Sequence, residues 1–316
     1  MKRLAVLLTL VLMGCSTSAP SIDHQSIDHL VTISKALLPV GSTLPANQAG
    51  VGKNLAGSGA SNLDSTRIVS LANGAAESLV AMGLGGHLVG RDIASTFPEV
   101  AKVPVVAIGH QVSAEKVLAT SPTIVIVDAS TGPKSALQQI ASTGVSVVVI
   151  PEAWTVTAAN DRLLALGKAV GAEAVARTLL RDIPKFSIAL SPRVIFLYLR
   201  GPSSIYLLGG KGSGADQVIT LAGGVDAGAV LSNKPFAPIT AETIAQANPD
   251  LILVMTKGLE SVGGVKGLIA LPGVAQTSAG KNRRVIAVDD SLLLSFGPRL
   301  PDLIRQINAA MVTVMK

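Results

Sequence analysis

A chain of 316 residues has room for two domains of ordinary size, and its one Trp, two Tyr and five Phe require a core built from aliphatic side chains. Twenty-six basic residues against 20 acidic ones give a formal charge of +6. The only dense basic cluster is Lys281, Arg283 and Arg284, with almost no aromatic interleaving, which excludes a nucleic-acid surface. The single cysteine, Cys15, excludes an internal disulfide.

Lys2 and Arg3 followed by the apolar run Leu4 to Met13 read as a signal peptide. The run is too short to span a bilayer, which takes about 20 apolar residues. It closes on Leu12-Met13-Gly14-Cys15. A small residue before a Cys at this place resembles the bacterial lipobox, although Met13 departs from that motif. The resemblance implies that residues 1–14 are removed and that Cys15 carries a lipid, anchoring the protein to the extracytoplasmic face of the cell membrane. Ordinary secretion with cleavage nearby, or a short anchor helix, is the alternative. Loss of Lys2 and Arg3 leaves 24 basic against 20 acidic residues, a charge of +4. Residues 15–66 read as a flexible tether, since Gly, Ser, Ala and Asn dominate from Gly41 to Ser61 and bury too little apolar surface to offset their ordering entropy. His24 and His29 fall in it, read as solvated residues, with a metal-binding pair as the alternative.

Order begins at Arg67. The run Arg67 to Leu71 predicts a buried strand, Ala75 to Met82 a helix ending at Gly83, and Leu88 to Gly90 the next strand. A helix over 113–120, a strand over 123–128, a helix over 134–142 and a strand over 145–150 follow. Strands alternating with helices indicate a parallel sheet covered on both faces. From Thr157 to Asp182 one long helix is predicted, stopped by Pro184, with Gly167 and Gly171 each weakening it by about 1 kcal/mol relative to Ala. A strand then restarts at Arg193.

The restart is close to a copy. Residues 112–127 align without a gap on residues 239–254, with Ala114-Glu115 on Ala241-Glu242, Pro122 on Pro249 and Val127 on Val254. Arg67 precedes Glu115 by 48 positions and Arg193 precedes Glu242 by 49. Ser113 and Thr240 stand where helix N-caps belong, each followed by a Glu that favours the helix start. The expected architecture is therefore α/β: two similar Rossmann-like lobes, 67–154 and 185–316, joined by a connecting helix within 155–184, with a ligand cleft between the lobes at the carboxyl ends of the strands.

This arrangement resembles the helical-backbone, or class III, family of ABC-importer substrate-binding proteins for haem, siderophores and cobalamin. Arg67-Ile-Val-Ser-Leu with Glu77 and Gly83 looks like that family's opening motif, and the two Ala-Glu segments look like its lobe-tip motifs. The resemblance covers Arg67 to the C-terminus. It implies a binding protein rather than an enzyme, with a permease dimer and its ATPase as partners and upstream haem-binding surface proteins as candidate donors. It also implies that Glu115 and Glu242 dock onto the permease. As first-turn carboxylates, both also serve their helices by about 0.3–1 kcal/mol.

Within the family a Tyr of many Gram-negative haem-binding members falls on Ile108, so that mode of ligation is absent. His110 lies two residues on, in a predicted loop. Strand 193–199 delivers Tyr198, with Arg200 two positions later. A Tyr-x-Arg paired with a first-lobe His resembles the actinobacterial haem-receptor branch, in which His and Tyr hold haem iron from opposite lobes and the Arg hydrogen-bonds near the Tyr. The implied site is His110 and Tyr198 as axial ligands of haem b, the transported ligand, with Arg200 beside them; imidazole and phenolate both ligate haem iron. Tyr206 is the rival tyrosine, although Ile205 to Leu208 reads as a strand. A ferric siderophore or cobalamin on the same fold is the alternative ligand.

Residues 209–214, rich in Gly, lack the nucleotide-binding Gly-Lys-Ser/Thr order and read either as a plain turn or as an anion-greeting helix start. Asp289-Asp290 reads as a solvated carboxylate pair. The sequence contains no zinc spacing and no Gly-x-Ser-x-Gly elbow, which leaves an enzyme on this scaffold as a minor alternative.

Overall fold

The computed structural model describes residues 29–34, 65–109, 111–180, 185–188 and 191–316. Its first strand, β1 (His29–Ile33), lies inside the segment read as a tether. The N-terminal lobe contains β2 (Ile68–Ser70), α1 (Ala75–Ala81), β3 (Leu88–Asp92), β4 (Val105–Ile108), β5 (Gln111–Val112), α2 (Ala114–Ala119), β6 (Ile124–Val127), α3 (Lys134–Ser142) and β7 (Ser146–Val149). They form one sheet in the order β5-β4-β3-β2-β6-β7, parallel except for the β4–β5 hairpin.

In β6 the alternation of a doubly covered strand is plain. Ile124 and Ile126 join one buried cluster with α1 and the connecting helices, and Val125 and Val127 join another under α2 and α3.

The connection is helical but shorter than the periodicity suggests. It is α4 (Val156–Ala169) followed by α5 (Glu173–Thr178). The break falls at Gly171, whose φ of 71° is left-handed and ends the first helix as a C-terminal glycine does. The apolar pattern runs on through the break because both pieces pack on the same core.

The C-terminal lobe contains β8 (Arg193–Arg200), β9 (Ile205–Gly209), α6 (Ala215–Leu221), β10 (Val225–Asp226), α7 (Ala227–Leu231), β11 (Phe236–Pro238), α8 (Ala241–Ala247), β12 (Leu251–Met255), α9 (Thr256–Ser261), α10 (Gly264–Ile269), α11 (Ser278–Lys281), β13 (Arg284–Val288), α12 (Asp290–Leu293) and α13 (Leu300–Val314). Its sheet runs β1-β13-β12-β8-β9-β11, with β10 also beside β8. This sheet is mixed, not wholly parallel: β9 returns antiparallel to β8, because the short link at Gly201–Ser203 leaves no room for a crossover. β1 covers the β13 edge in parallel, His29 opposite Arg284 through Ile33 opposite Val288, so five residues of the expected tether belong to this lobe.

The internal repeat is a repeat of structure. β2 pairs with β6 as β8 pairs with β12. Ser113 and Thr240 cap α2 and α8 by accepting the N–H groups of Lys116 and Thr243. The repeated arginines also share a role. Arg67 donates to the Thr120 and Ser121 carbonyls at the end of α2, and Arg193 donates to the Ala247 carbonyl at the end of α8. The backbone N–H of Arg67 finds Thr123 Oγ1 at 2.9 Å, and that of Arg193 finds Asp250 Oδ2 at 3.0 Å.

Candidate functional site

A cavity of about 500 Å³ lies between the lobes, a volume in the range of small-molecule sites. Its walls come from the carboxyl ends of strands and the segments that follow them: after β2, β3, β4 and β6 in the first lobe, and at the ends of β8 and β12 and after β13 in the second. The link from β7 into α4, Glu152 to Trp154, closes one side.

Strand β8 sorts its side chains by parity. Val194 and Phe196 enter one core cluster with Tyr198 packed against it, while Ile195, Leu197 and Leu199 enter the cluster on the other face. Near the strand's end Tyr198 is half-buried and lines the cavity. Its ring meets Phe236 edge-on at 5.8 Å, and the Arg200 guanidinium lies over its face, 4.5 Å from the centroid. Asp290 holds that guanidinium at 3.1 Å, and the Leu199 carbonyl accepts from it at 2.8 Å. Asp290 Oδ2 also accepts the Lys257 N–H at 3.0 Å. The Arg therefore reaches the Tyr through the ring face, and its hydrogen bonds go to the carboxylate and the carbonyl.

The cavity floor is a belt of polar contacts between the lobes. The Asn73 amide donates to the Leu294 carbonyl at 2.8 Å. Arg162 on α4 donates to the Ser295 and Phe296 carbonyls at 2.6 and 2.9 Å. Glu77 on α1 pairs with Arg299 at 2.8 Å. Burial pulls the Arg162 guanidinium down to about 10 while Glu77 and Asp128 raise it, so it stays charged at neutral pH. Burial pushes Asp128 up, but hydrogen bonds from Ser130, the Asn73 N–H and Thr131 outweigh it and hold the carboxyl below the usual range. Asp92 is raised, because burial prevails over its bonds with Ser95 and Ala94.

Residues 68–292 match the model of the family described as periplasmic binding protein. The chain belongs to that family. Its relatives include the uncharacterised ABC transporter substrate-binding lipoprotein YvrC of Bacillus subtilis (strain 168), 30% identical over 260 residues, 76% of this chain and 80% of the relative. Among solved structures, the apo form of the periplasmic haem-binding protein RhuT from Roseiflexus sp. RS-1 is similar, at 33% identity over 80% of this chain and 100% of that chain, with a TM-score of 0.73. The haem-binding protein HmuT is 31% identical over 78% of this chain and 84% of that chain, with a TM-score of 0.70. Ala variants of HmuT at a His, at a Tyr and at an Arg two positions after that Tyr are also among the similar structures.

As a periplasmic binding protein the chain has the expected two-lobed fold, and several site residues predicted from sequence find definite places. Tyr198 and Arg200 line the inter-lobe cavity. Glu115 and Glu242 are exposed in the first turns of α2 and α8, outside the cavity. His110, Cys15 and His24 lie outside the described residues. Gly109, the neighbour of His110, lines the cavity from the first lobe and joins β4 to β5, so the expected loop is flanked by a two-strand hairpin.

At two places the structure narrows an open alternative, and at a third it corrects a reading. Tyr206 packs on the opposite face of the C-terminal sheet, against the cluster containing Leu199, and does not line the cavity. Residues 209–214 do not line the cavity, and Asp216 Oδ2 already accepts the Gly212 N–H. Asp290 is no solvated bystander, since it anchors Arg200, whereas Asp289 caps α12 through the Ser291 N–H. Reasoning from sequence also missed Asn73, Arg162 and Arg299, whose partners lie 133 to 222 positions away and leave no local pattern. Among the described residues no group of three His, Cys, Asp or Glu could hold a bare metal ion, and no helix is long and apolar enough to cross a membrane.

Proposed function

We propose that this protein is the lipid-anchored, extracytoplasmic binding component of an ABC importer, that its ligand is haem b, and that it performs no catalysis. The observation that carries the reading is Tyr198, fixed by Arg200 and Phe236 at the wall of an inter-lobe cavity of about 500 Å³. The same residue types at the same Tyr-x-Arg spacing are the ones replaced in the HmuT variants. Haem iron would be held between the Tyr198 phenolic oxygen and an imidazole from His110, whose neighbour Gly109 borders the cavity from the other lobe. Ligands from two lobes would make the iron itself the clasp.

Glu115 and Glu242, one exposed at each lobe tip, suit docking on a permease dimer driven by its ATPase. The lipid on Cys15 would keep the protein at the membrane where that permease sits. A ferric siderophore suits the cavity less well. Its several anionic groups would meet Glu77, Asp92, Asp128, Glu152 and Asp290, while both lining guanidiniums, Arg162 and Arg200, are already bonded to protein acceptors.

The test is an absorbance titration of the purified protein with haemin and with a ferric hydroxamate chelate. A saturable Soret band is expected with haemin. Binding of the hydroxamate with no Soret response to haemin would overturn the assignment.

A further inference from the structure

Trp154 is the only Trp of the chain, and it is 37% exposed. Leaving so large an apolar ring in water forfeits burial free energy, so its surroundings bear on its purpose. The preceding residue, Ala153, is buried in the core of the C-terminal lobe, and the following one, Thr155, caps α4 through the Ala158 N–H. The backbone on both sides of the indole is therefore fixed.

The ring itself is held at two edges. Its Nε1–H donates to Glu152 Oε2 at 3.2 Å. Its Cε3 atom lies 3.4 Å from where a Cβ on Gly214 would stand. Gly214 has a φ of 84°, and a Cβ there would come within 2.7 Å of Phe296, so only glycine lets Trp154 and Phe296 close on that backbone together. Trp154 also borders the inter-lobe cavity.

We infer that Trp154 is a flat wall of the ligand site, against which the face of a planar tetrapyrrole stacks, and that it selects for planarity where Tyr198 selects for iron. This rests on the haem reading above. An aromatic ring preset at both edges loses little freedom on binding, and the ligand removes from water the surface that the fold leaves exposed.

Trp154→Ala, Trp154→Leu and Trp154→Phe are to be titrated with haemin and with metal-free protoporphyrin IX, alongside Tyr198→Phe. Trp154→Ala and Trp154→Leu should weaken both ligands by a common factor of about ten, with the haemin spectrum unchanged. Trp154→Phe, which keeps a flat ring, should lie within about threefold of wild type. Tyr198→Phe should do the reverse, altering the haemin spectrum while leaving the metal-free porphyrin bound. The Leu and Phe variants both keep a large apolar side chain at this position, so their comparison stands even if the Ala variant folds poorly. Equal affinities for Leu and Phe, or a loss confined to haemin, would overturn the inference while the haem reading survives. A wild-type protein with no Soret response to haemin would remove both.

Discussion

Glu77 and Arg299, 222 positions apart, meet between the lobes through two contacts: the Arg299 guanidinium donates to Oε2 at 2.8 Å, and the Arg299 backbone N–H donates to Oε1 at 2.8 Å. Their side chains are 2% and 8% exposed. With Asn73 on the Leu294 carbonyl and Arg162 on the Ser295 and Phe296 carbonyls, the pair ties the first lobe and the connecting helix to the turn that starts α13. Such a belt restrains the hinge, so ligand capture here calls for small adjustments of the cavity walls more than for wide lobe closure.

Breaking the pair from one side leaves a buried charge unmatched. Glu77→Gln or Arg299→Met should each destabilise the protein by about 3–5 kcal/mol in urea unfolding. The double change Glu77→Gln with Arg299→Met should cost clearly less than the sum of the single ones. Additivity within about 0.5 kcal/mol would show that the two residues are not coupled.

Ligation is read from spectra. Tyr198→Ala and His110→Ala should each shift the Soret and charge-transfer bands of bound haemin and weaken its retention. Arg200→Ala, which removes the support of the Tyr198 ring and leaves Asp290 without its guanidinium, should keep the ligand set and lose about tenfold in affinity. Unchanged spectra in both ligand variants would place the iron elsewhere.

At the lobe tips the expected pattern is the opposite. Glu115→Lys and Glu242→Lys should impair uptake and co-purification with the permease, the double variant more than either, while haemin affinity stays within about twofold of wild type. Rim charges act on association and are screened by salt, so the effect should shrink as ionic strength rises. Normal uptake by the double variant would sink the docking assignment.

Asp226 supplies a pH signature unrelated to ligand. It caps α7 through the Gly228 and Ala229 N–H groups, and burial pushes its carboxyl up to about 6 from the usual 3.8, with Asp216 adding to the rise and the two N–H bonds opposing it. Well below pH 3.8 the group is protonated folded and unfolded alike. Between about 4 and 6 the unfolded chain gives up the proton while the folded chain keeps it, so stability falls as pH rises and then stays lower by up to about 3 kcal/mol. Asp226→Asn keeps an oxygen for the cap. It should be more stable than wild type by about 1–3 kcal/mol at pH 7.5 and equal to it near pH 3. Parallel stability–pH curves for the two proteins would refute this.

The elements visible in the sequence were those whose neighbours in space are also neighbours in the chain. A buried run such as Ile124 to Val127, or a capped start such as Ser113 and Thr240, carries its own periodicity and punctuation. Because the chain repeats that unit, the two-lobed plan and the place of the cleft could be read before any coordinates. Tyr198 was legible for a related reason, since the parity of β8 puts it on a face with Phe196 and the following Arg marks where the core face ends. The break at Gly171 was not legible, because the apolar spacing continues on both sides of it.

What sequence alone determined was therefore the local grammar: alternating strands and helices, a duplicated tip, and a Tyr-x-Arg at a strand end. Only the tertiary structure decided which distant groups share a surface. It brought β1 onto β13 and set Asp290 under Arg200, and it left Tyr206 on the far face of the sheet. It turned Trp154 toward the cavity and joined Glu77 to Arg299. Pairings over 90 to 222 positions leave no period in the chain; Arg200 meets Asp290 because β8 and β13 end on the same edge of one sheet, and Glu77 meets Arg299 because the two lobes face one another.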